Sequence, residues 1–403
     1  MRCNIMIKEK IELINKERFA TVEEISKAKL ERAAELAIDK IEKNLSRFAG
    51  GFTSPATNNL RYEPSKNNDW VNGMHTGQYW LAYELTGNIK FRHAAENHLK
   101  SFQERFENKV ALSDHDVGFL YVPSCVAAYK LTGNEEARKL ALDAAKHLYD
   151  FSFSEKGGFI IRVNGHNPKR YSDYRTMMDT LMNISLFLWA HRETGEEKYL
   201  NAAIAQYRTT IQYLVRSDAS TFHHYQFDPD TDQPVRGVTW QGFSDDSCWS
   251  RGQAWGVYGL AIAYSYTKDE LLPGIHRDLA YYFLNKLPDD YIPYWDLIFT
   301  QGSTEPRDSS ASAIVACGLH EMSKHTLAGT SHKKFFMSAG SRMLEALIDK
   351  CGCVTNPACD GILCHVTHAL PQGIGIDECT VFGDYFYLEA LVRWLKPDWQ
   401  MYW

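Results

Sequence analysis

The chain contains no uninterrupted apolar run of the ~18 residues that a membrane-spanning helix needs, so no segment is read as crossing a bilayer. It has no basic surplus either: 44 Lys and Arg stand against 50 Asp and Glu, a formal charge of −6, which argues against a nucleic-acid partner. Several chemistries lack their motifs. There is no Gly-x-Ser-x-Gly elbow, no phosphate loop, no His-Glu-x-x-His and no dinucleotide fingerprint opening a βαβ unit. The first residues, Met1-Arg2-Cys3-Asn4-Ile5-Met6-Ile7-Lys8-Glu9-Lys10, break their apolar positions with charge and show no signal-like core, so a cytoplasmic address is expected. No Pro/Ser-rich linker or charge block divides the sequence, which favours one domain over residues 21–403 behind a lead-in of residues 1–20.

What is present is an ordinary globular composition, 44% apolar and 23% charged over 403 residues. Thr21-Val22-Glu23-Glu24 reads as a capping box opening a helix to about Phe48, with Ile25, Leu30, Ala33, Leu36, Ala37 and Ile41 near helical spacing. Helices then end on Leu85-Thr86-Gly87-Asn88, Leu131-Thr132-Gly133-Asn134 and Glu193-Thr194-Gly195-Glu196, each Gly suiting a left-handed cap. The other connections are long, at about 50–72, 151–175, 217–251, 287–310 and 351–383. Short turns at one end and rich loops at the other suit a ring of helix pairs with its site on the loop face. Gly158–Val163 and Thr221–Phe227 read as hairpin pieces within those loops.

From Met177 to His191 nearly every residue is apolar, the pattern of a helix buried on all sides, yet Asp179 stands in its first turn. A buried carboxylate must be paired, capping or catalytic. Capping would stabilise the helix by ~0.3–1 kcal/mol. A second acid, Asp116 of His115-Asp116, also precedes an apolar helical run, and paired carboxylates in one cleft are the usual equipment for acid/base work on sugars. The loop Thr239–Trp255 adds Trp240, Gln241, Trp249, Arg251 and Trp255, flat faces and directed donors of the kind that bind sugars; an aromatic cluster with Arg251 in an ion pair is the structural alternative. His223, alone on a loop, reads first as a hydrogen-bonding residue.

Of nine cysteines, five fall late: Cys351, Cys353, Cys359, Cys364 and Cys379. Their spacing, with His365 and His368 nearby, matches no compact zinc knuckle, so reduced loop thiols are expected, with no metal and no cofactor.

His115-Asp116-x-Gly-Phe-Leu-Tyr, Arg175-x-x-x-Asp179, Phe222-His223 followed by Phe227-Asp228-Pro229, Gln241-Gly242, Trp249-x-Arg251-Gly-Gln-Ala-Trp255-Gly, Tyr294-Trp295-Asp296, Arg307-Asp308-Ser309-Ser310-Ala311 and Gly383-Asp384-Tyr385-x-Tyr387 occur in collinear order. Together they resemble the unsaturated glucuronyl hydrolases, glycoside hydrolase family 88, from about Asp69 to Trp403. The resemblance implies an all-α (α/α)6 barrel that removes a Δ4,5-unsaturated uronic acid from the non-reducing end of lyase-generated oligosaccharides. It places Asp179 as acid/base, Asp116 as the second essential aspartate, and Trp70, His115, His223, Gln241, Trp249, Arg251 and Trp255 around the unsaturated sugar. The substrate is an unsaturated disaccharide or similar oligosaccharide, and the enzyme a monomer or weak homo-oligomer. Such chemistry needs Asp179 to keep its proton near neutral pH, so burial and the charge of Asp116 are expected to raise its pKa above the pull of the helix dipole.

Departures from the family pattern are His75 and Asn164 where aromatics are common, Trp240 where a His is common, and Phe382 in place of Trp. Ala369, Gln372 and Ile374 stand where members accepting sulfated galactosamine carry Ser-x-x-Ser-x-Lys, so weak activity on 6-sulfated chondroitin disaccharide is expected. Open alternatives are an unsaturated rhamnogalacturonyl hydrolase acting on pectin fragments and a non-catalytic carbohydrate-binding protein. A sugar 2-epimerase would need paired catalytic histidines.

Overall fold

A computed structural model describes residues 11–20, 24–48, 50–113, 115–162, 173–325 and 331–403. Helices dominate and form two concentric rings, the (α/α)6 barrel. The inner ring comprises Asn72–Thr86, the broken helix 117–132, the pair 180–194, Ser250–Thr267, Ser309–His325 and Val381–Leu395, each packed against the next until the ring closes. Lys27–Phe48, Ile89–Glu107, Glu135–Ser152, Glu197–Tyr213, Leu272–Lys286 and Ser331–Ala346 wrap around it.

Sequence pattern explains which helix goes where. Every residue from Ser250 to Ala263 and from Val381 to Arg393 is buried, as a helix apolar on all sides requires. Lys27–Phe48 instead buries one stripe, Leu30, Ala33, Ala34, Ala37, Ile38 and Ile41, the i, i+3, i+4 spacing of a helix with one wet face.

Inner helices pass to outer ones through short turns, and Gly87, Gly133 and Gly195 take the left-handed C-cap with φ of 66°, 69° and 74°. Outer helices return to inner ones through the long segments, all at the opposite end, as expected. Those segments carry three small antiparallel sheets, of which the largest pairs Arg175–Met177 with His224–Phe227 and that strand with Pro234–Val238.

Two local expectations need correction. The first long helix begins at Lys27, and most of the proposed capping box, residues 21–23, lies outside the described residues. The run 177–191 is not one helix: Arg175–Met177 is a strand, followed by helices Thr180–Asn183 and Ser185–Thr194. Pairing with His224–Phe227 captures the strand. Ser185 then bonds its hydroxyl to the Met182 carbonyl at 2.6 Å, a side-chain bond of the type that competes with a continuous helix. Among the described residues no helix is long and apolar enough to cross a membrane.

Candidate active site

Asp116 and Asp179 occupy the N-cap positions of two short inner helices, Val117–Tyr121 and Thr180–Asn183, yet neither carboxylate caps its own helix. Capping therefore does not account for them. Both turn instead to His115, whose Nε2 lies 3.3 Å from Asp116 Oδ1 and 3.2 Å from Asp179 Oδ1. Close approach of the two helix mouths makes this meeting possible. A Cβ on Gly118 would sit 2.5 Å from the Cα of Asn183, so only glycine fits. Asn183 then stitches the mouths together, accepting from the Phe119 N–H at 2.7 Å and donating to the Asp179 carbonyl at 3.2 Å.

The imidazole between two carboxylates sets the protonation pattern. Burial pushes His115 down, but the charges of Asp116 and Asp179 outweigh it and leave its pKa above the usual 6.5. Burial raises both acids as well. For Asp116, with the charges of Asp179 and Asp69 added and His115 opposing, the result is a carboxyl at about 6. For Asp179, the charge and hydrogen bond of His115, with the charge of Arg162, outweigh burial and hold it below its ordinary value. The expected upward shift of Asp179 is thus not found in the free protein; the raised carboxyl is Asp116, because Asp179 gathers more positive neighbours.

Around the acids lies a cavity of about 180 Å³ lined by all nine residues singled out from the sequence: Trp70, His115, Asp116, Asp179, His223, Gln241, Trp249, Arg251 and Trp255. Trp255 forms a buried floor against Phe119 and Phe386. Trp70 stacks on Phe382 at 5.4 Å, and Trp249 packs between His223 and the Arg251 guanidinium. His223 accepts the backbone N–H groups of Trp240 and Gln241 on Nδ1, at 3.1 and 3.2 Å, which places its proton on Nε2, an atom without a protein partner in the cavity wall. Burial, reinforced by His224 and Arg175, keeps this ring neutral.

Arg251 lines the cavity but is heavily committed to the protein. It donates to Asp308 Oδ2 at 2.5 Å, to the Thr367 carbonyl at 2.8 Å, to Gln241 Oε1 at 3.5 Å and to the His368 carbonyl. The ion-pair alternative raised for this residue is realised, and realised inside the site.

Trp240 of the aromatic loop also lines the cavity, as do three residues not proposed as site residues: Arg162, Arg175 and Met177. Arg162 stands 3.9 Å from Asp116 Oδ2, and Arg175 contacts His224 Nε2 at 3.3 Å with its Nε unpartnered. The backbones of the two residues pair through the bridge Arg162↔Arg175, formed across the loop that joins them. Trp240 is 54% exposed and forms the rim, held through its carbonyl by Gln372 Nε2 at 2.8 Å. His75, by contrast, is buried against Phe48, Phe52 and Tyr79 and does not line the cavity, so that departure bears on packing rather than on substrate. Asn164 lies outside the described residues.

The model of Glycosyl Hydrolase Family 88 matches residues 41–365. The chain belongs to that family. It is 43% identical over 387 residues to the unsaturated chondroitin disaccharide hydrolase of Streptococcus pneumoniae, covering 96% of this chain and 97% of that protein. The crystal structure of the unsaturated glucuronyl hydrolase from Streptococcus agalactiae is 40% identical, covers 98% of each chain and superposes with a TM-score of 0.93. An Asp-to-Asn variant of that enzyme complexed with dGlcA-GalNAc6S superposes with a TM-score of 0.87 at 38% identity, again over 98% of each chain. A family 88 member is a glycoside hydrolase.

Proposed function

We propose that this family 88 enzyme removes a terminal Δ4,5-unsaturated glucuronic acid from lyase-generated oligosaccharides by adding water across the C4=C5 vinyl ether. The convergence of Asp116 and Asp179 on His115 inside a tryptophan-walled, arginine-lined cavity carries this reading. Trp70, Trp249 and Trp255 offer flat faces to one sugar ring, His223 offers its Nε2–H, and Arg162 and Arg175 offer charge to the uronate carboxylate.

Asp179 gives the proton to C4, which leaves an oxocarbenium-like centre at C5. Water adds at C5 and returns its proton to Asp179. The hemiketal opens, C1 becomes a hemiacetal, and the neighbouring sugar leaves. His115, one hydrogen bond from Asp179, is the source of the first proton. Arrival of the sugar displaces water from the cavity and adds a negative charge, both of which raise the proton affinity of Asp179 from its low value in the free protein. Asp116, sharing His115 Nε2 with Asp179, accepts from the sugar hydroxyls.

The test follows the ultraviolet absorbance of the double bond in unsaturated disaccharides from hyaluronan, chondroitin, heparin, gellan and pectin. Absorbance is expected to fall with the glycosaminoglycan-type or gellan sugars and to persist with Asp179→Asn. Action on the pectin product alone would replace the reading with a rhamnogalacturonyl hydrolase. Binding with undiminished absorbance throughout would leave a carbohydrate-binding protein.

The substrate preference follows from the turn 369–374. Ala369 is buried, Gln372 is turned to the Trp240 carbonyl, and Ile374 is 46% exposed, so these positions bring no cation to a sulfate. Unsulfated chondroitin disaccharide is therefore expected to be cleaved with the higher kcat/KM. A preference for the 6-sulfated sugar would refute this assignment.

A further inference from the structure

The five late cysteines are not scattered loop thiols. Cys353, Cys359 and Cys379 bring their sulfur atoms into mutual contact, at 3.3 Å between Cys353 and Cys359 and 3.5 Å for each of the other two pairs. All three residues are buried. Cys364 comes from the same segment, its thiol donating to the Cys351 carbonyl at 3.1 Å. From this triangle we infer that Cys353, Cys359 and Cys379 form a site for a thiophilic divalent cation, zinc in the first instance, with Cys364 turning from the Cys351 carbonyl to supply the fourth ligand.

Geometry separates this from a disulfide. A disulfide joins two sulfurs at ~2.0 Å, whereas here three sulfurs form a near-equilateral triangle. Zinc binds thiolates at about 2.3 Å, so one face of its tetrahedron has edges of roughly 3.8 Å, a few tenths of an ångström wider than the triangle seen. Each thiol that ligates the ion releases its proton to solvent, and four thiolates around a divalent cation leave net negative charge. Lys40, buried on the outer helix Lys27–Phe48, answers that charge from the same side, its Nζ donating to the carbonyls of Cys359 at 2.5 Å and Asn356 at 2.8 Å. The Cys-x5-Cys-x4-Cys-x14-Cys spacing is too open for a compact knuckle. The site closes because the segment doubles back: the Cys353 N–H bonds the Ile362 carbonyl at 3.2 Å, and the Val366 and Glu378 backbones pair.

The consequence reaches the catalytic cavity. The segment 352–380 has little regular structure, yet its Thr367 and His368 carbonyls hold Arg251. A cation joining Cys353, Cys359 and Cys364 to Cys379, beside the inner helix Val381–Leu395, fixes the wall from which those carbonyls point. The site is structural, and it stands independently of the reaction proposed above.

The full chain, purified without chelator, is expected to carry one equivalent of zinc by elemental mass spectrometry. Replacing that zinc with cobalt should produce the thiolate-to-cobalt charge-transfer absorption and the intense visible bands of tetrahedral sulfur coordination, lost again when zinc is added back. Cys359→Ser with Cys379→Ser should lose the metal, whereas Cys125→Ser, altering a buried thiol elsewhere, should keep it. Because the double variant risks misfolding, the cobalt spectrum of the unaltered chain decides. Native chain that takes up neither ion, or whose intact mass shows a Cys353–Cys359 disulfide, overturns the site. Cobalt spectra without sulfur charge transfer would overturn it equally.

Discussion

Two of the ionic clusters buried in the barrel, one at each end, differ in everything but burial. At the turn end, Arg393 donates to Glu321 at 2.7 Å and Glu389 at 2.9 Å and to the Tyr258 hydroxyl, while Trp403 from the C-terminal tail donates to Glu389 at 2.9 Å. At the loop end, one imidazole serves two carboxylates beside an open cavity. In the first cluster, burial would raise Glu321, but His325, Arg393 and Lys324 hold it far below the usual carboxylate range. In the second, burial wins at Asp116 and loses at Asp179. A satisfied cluster holds helices together; an unevenly satisfied one keeps a proton ready to move.

The widest separation between the two comes from removing one charge from each. Asp179→Asn is expected to lower kcat by roughly 10²–10⁴-fold, the usual reach of a positioned acid/base. Its stability, read by denaturant midpoint, should move by no more than about 1 kcal/mol. Arg393→Met leaves Glu389 buried without its cation and strips Glu321 of one of its partners, and is expected to cost about 3–5 kcal/mol of stability, with kcat per folded molecule unchanged. A catalytically dead but stable Arg393→Met protein would erase the distinction.

A subtler break uses pH. Asp116 has its folded pKa raised from 3.8 to about 6, so between those values the native state holds more protons than the unfolded one, and stability falls as pH rises through that window. Asp116→Asn removes the penalty. The variant is expected to be more stable than the parent by about 1–3 kcal/mol at pH 7 and equal to it near pH 4. Glu321 runs the other way: its stabilisation is present above the ordinary carboxylate range and is lost only as pH falls toward its lowered value. Thermal melts of parent and variant across pH 4–8 check both signs, and a destabilised Asp116→Asn at pH 7 would show that its charge is fully paired.

How far the site was legible follows from the same comparison. The motif residues come from loop ends that all meet at one face, so a ring of helix pairs was enough to bring the nine together. Arg162 and Arg175 were not legible as site residues. Their meeting depends on backbone pairing across one irregular loop, and Arg175–Met177 is a strand where the sequence reads as the approach to a helix. The placement of the raised pKa was equally hidden, since it turns on His115 lying near both acids at once, with Arg162 tipping the balance. The thiol triangle was missed for a related reason: spacing along a chain says little where the chain doubles back.

Asn183 is where the difference between holding and poising is smallest. Its side chain contributes no charge, yet it joins the two helix mouths that carry the two acids. Asn183→Ala removes both bonds and leaves the buried Phe119 N–H unpaired, at a cost of about 1–3 kcal/mol. If the bridge only stabilised the fold, kcat of the folded fraction would stay constant. If it sets the distances of His115 to Asp116 and Asp179, kcat should fall by roughly tenfold or more while KM changes little, because small displacements of reacting groups weigh on the barrier before they weigh on binding. The expected outcome is the second, measured as separate kcat and KM on the unsaturated disaccharide with the folded fraction fixed by active-chain titration. A fall in kcat matched by an equal rise in KM would instead place Asn183 with Trp70 and Trp249, the cavity walls proposed to receive the sugar.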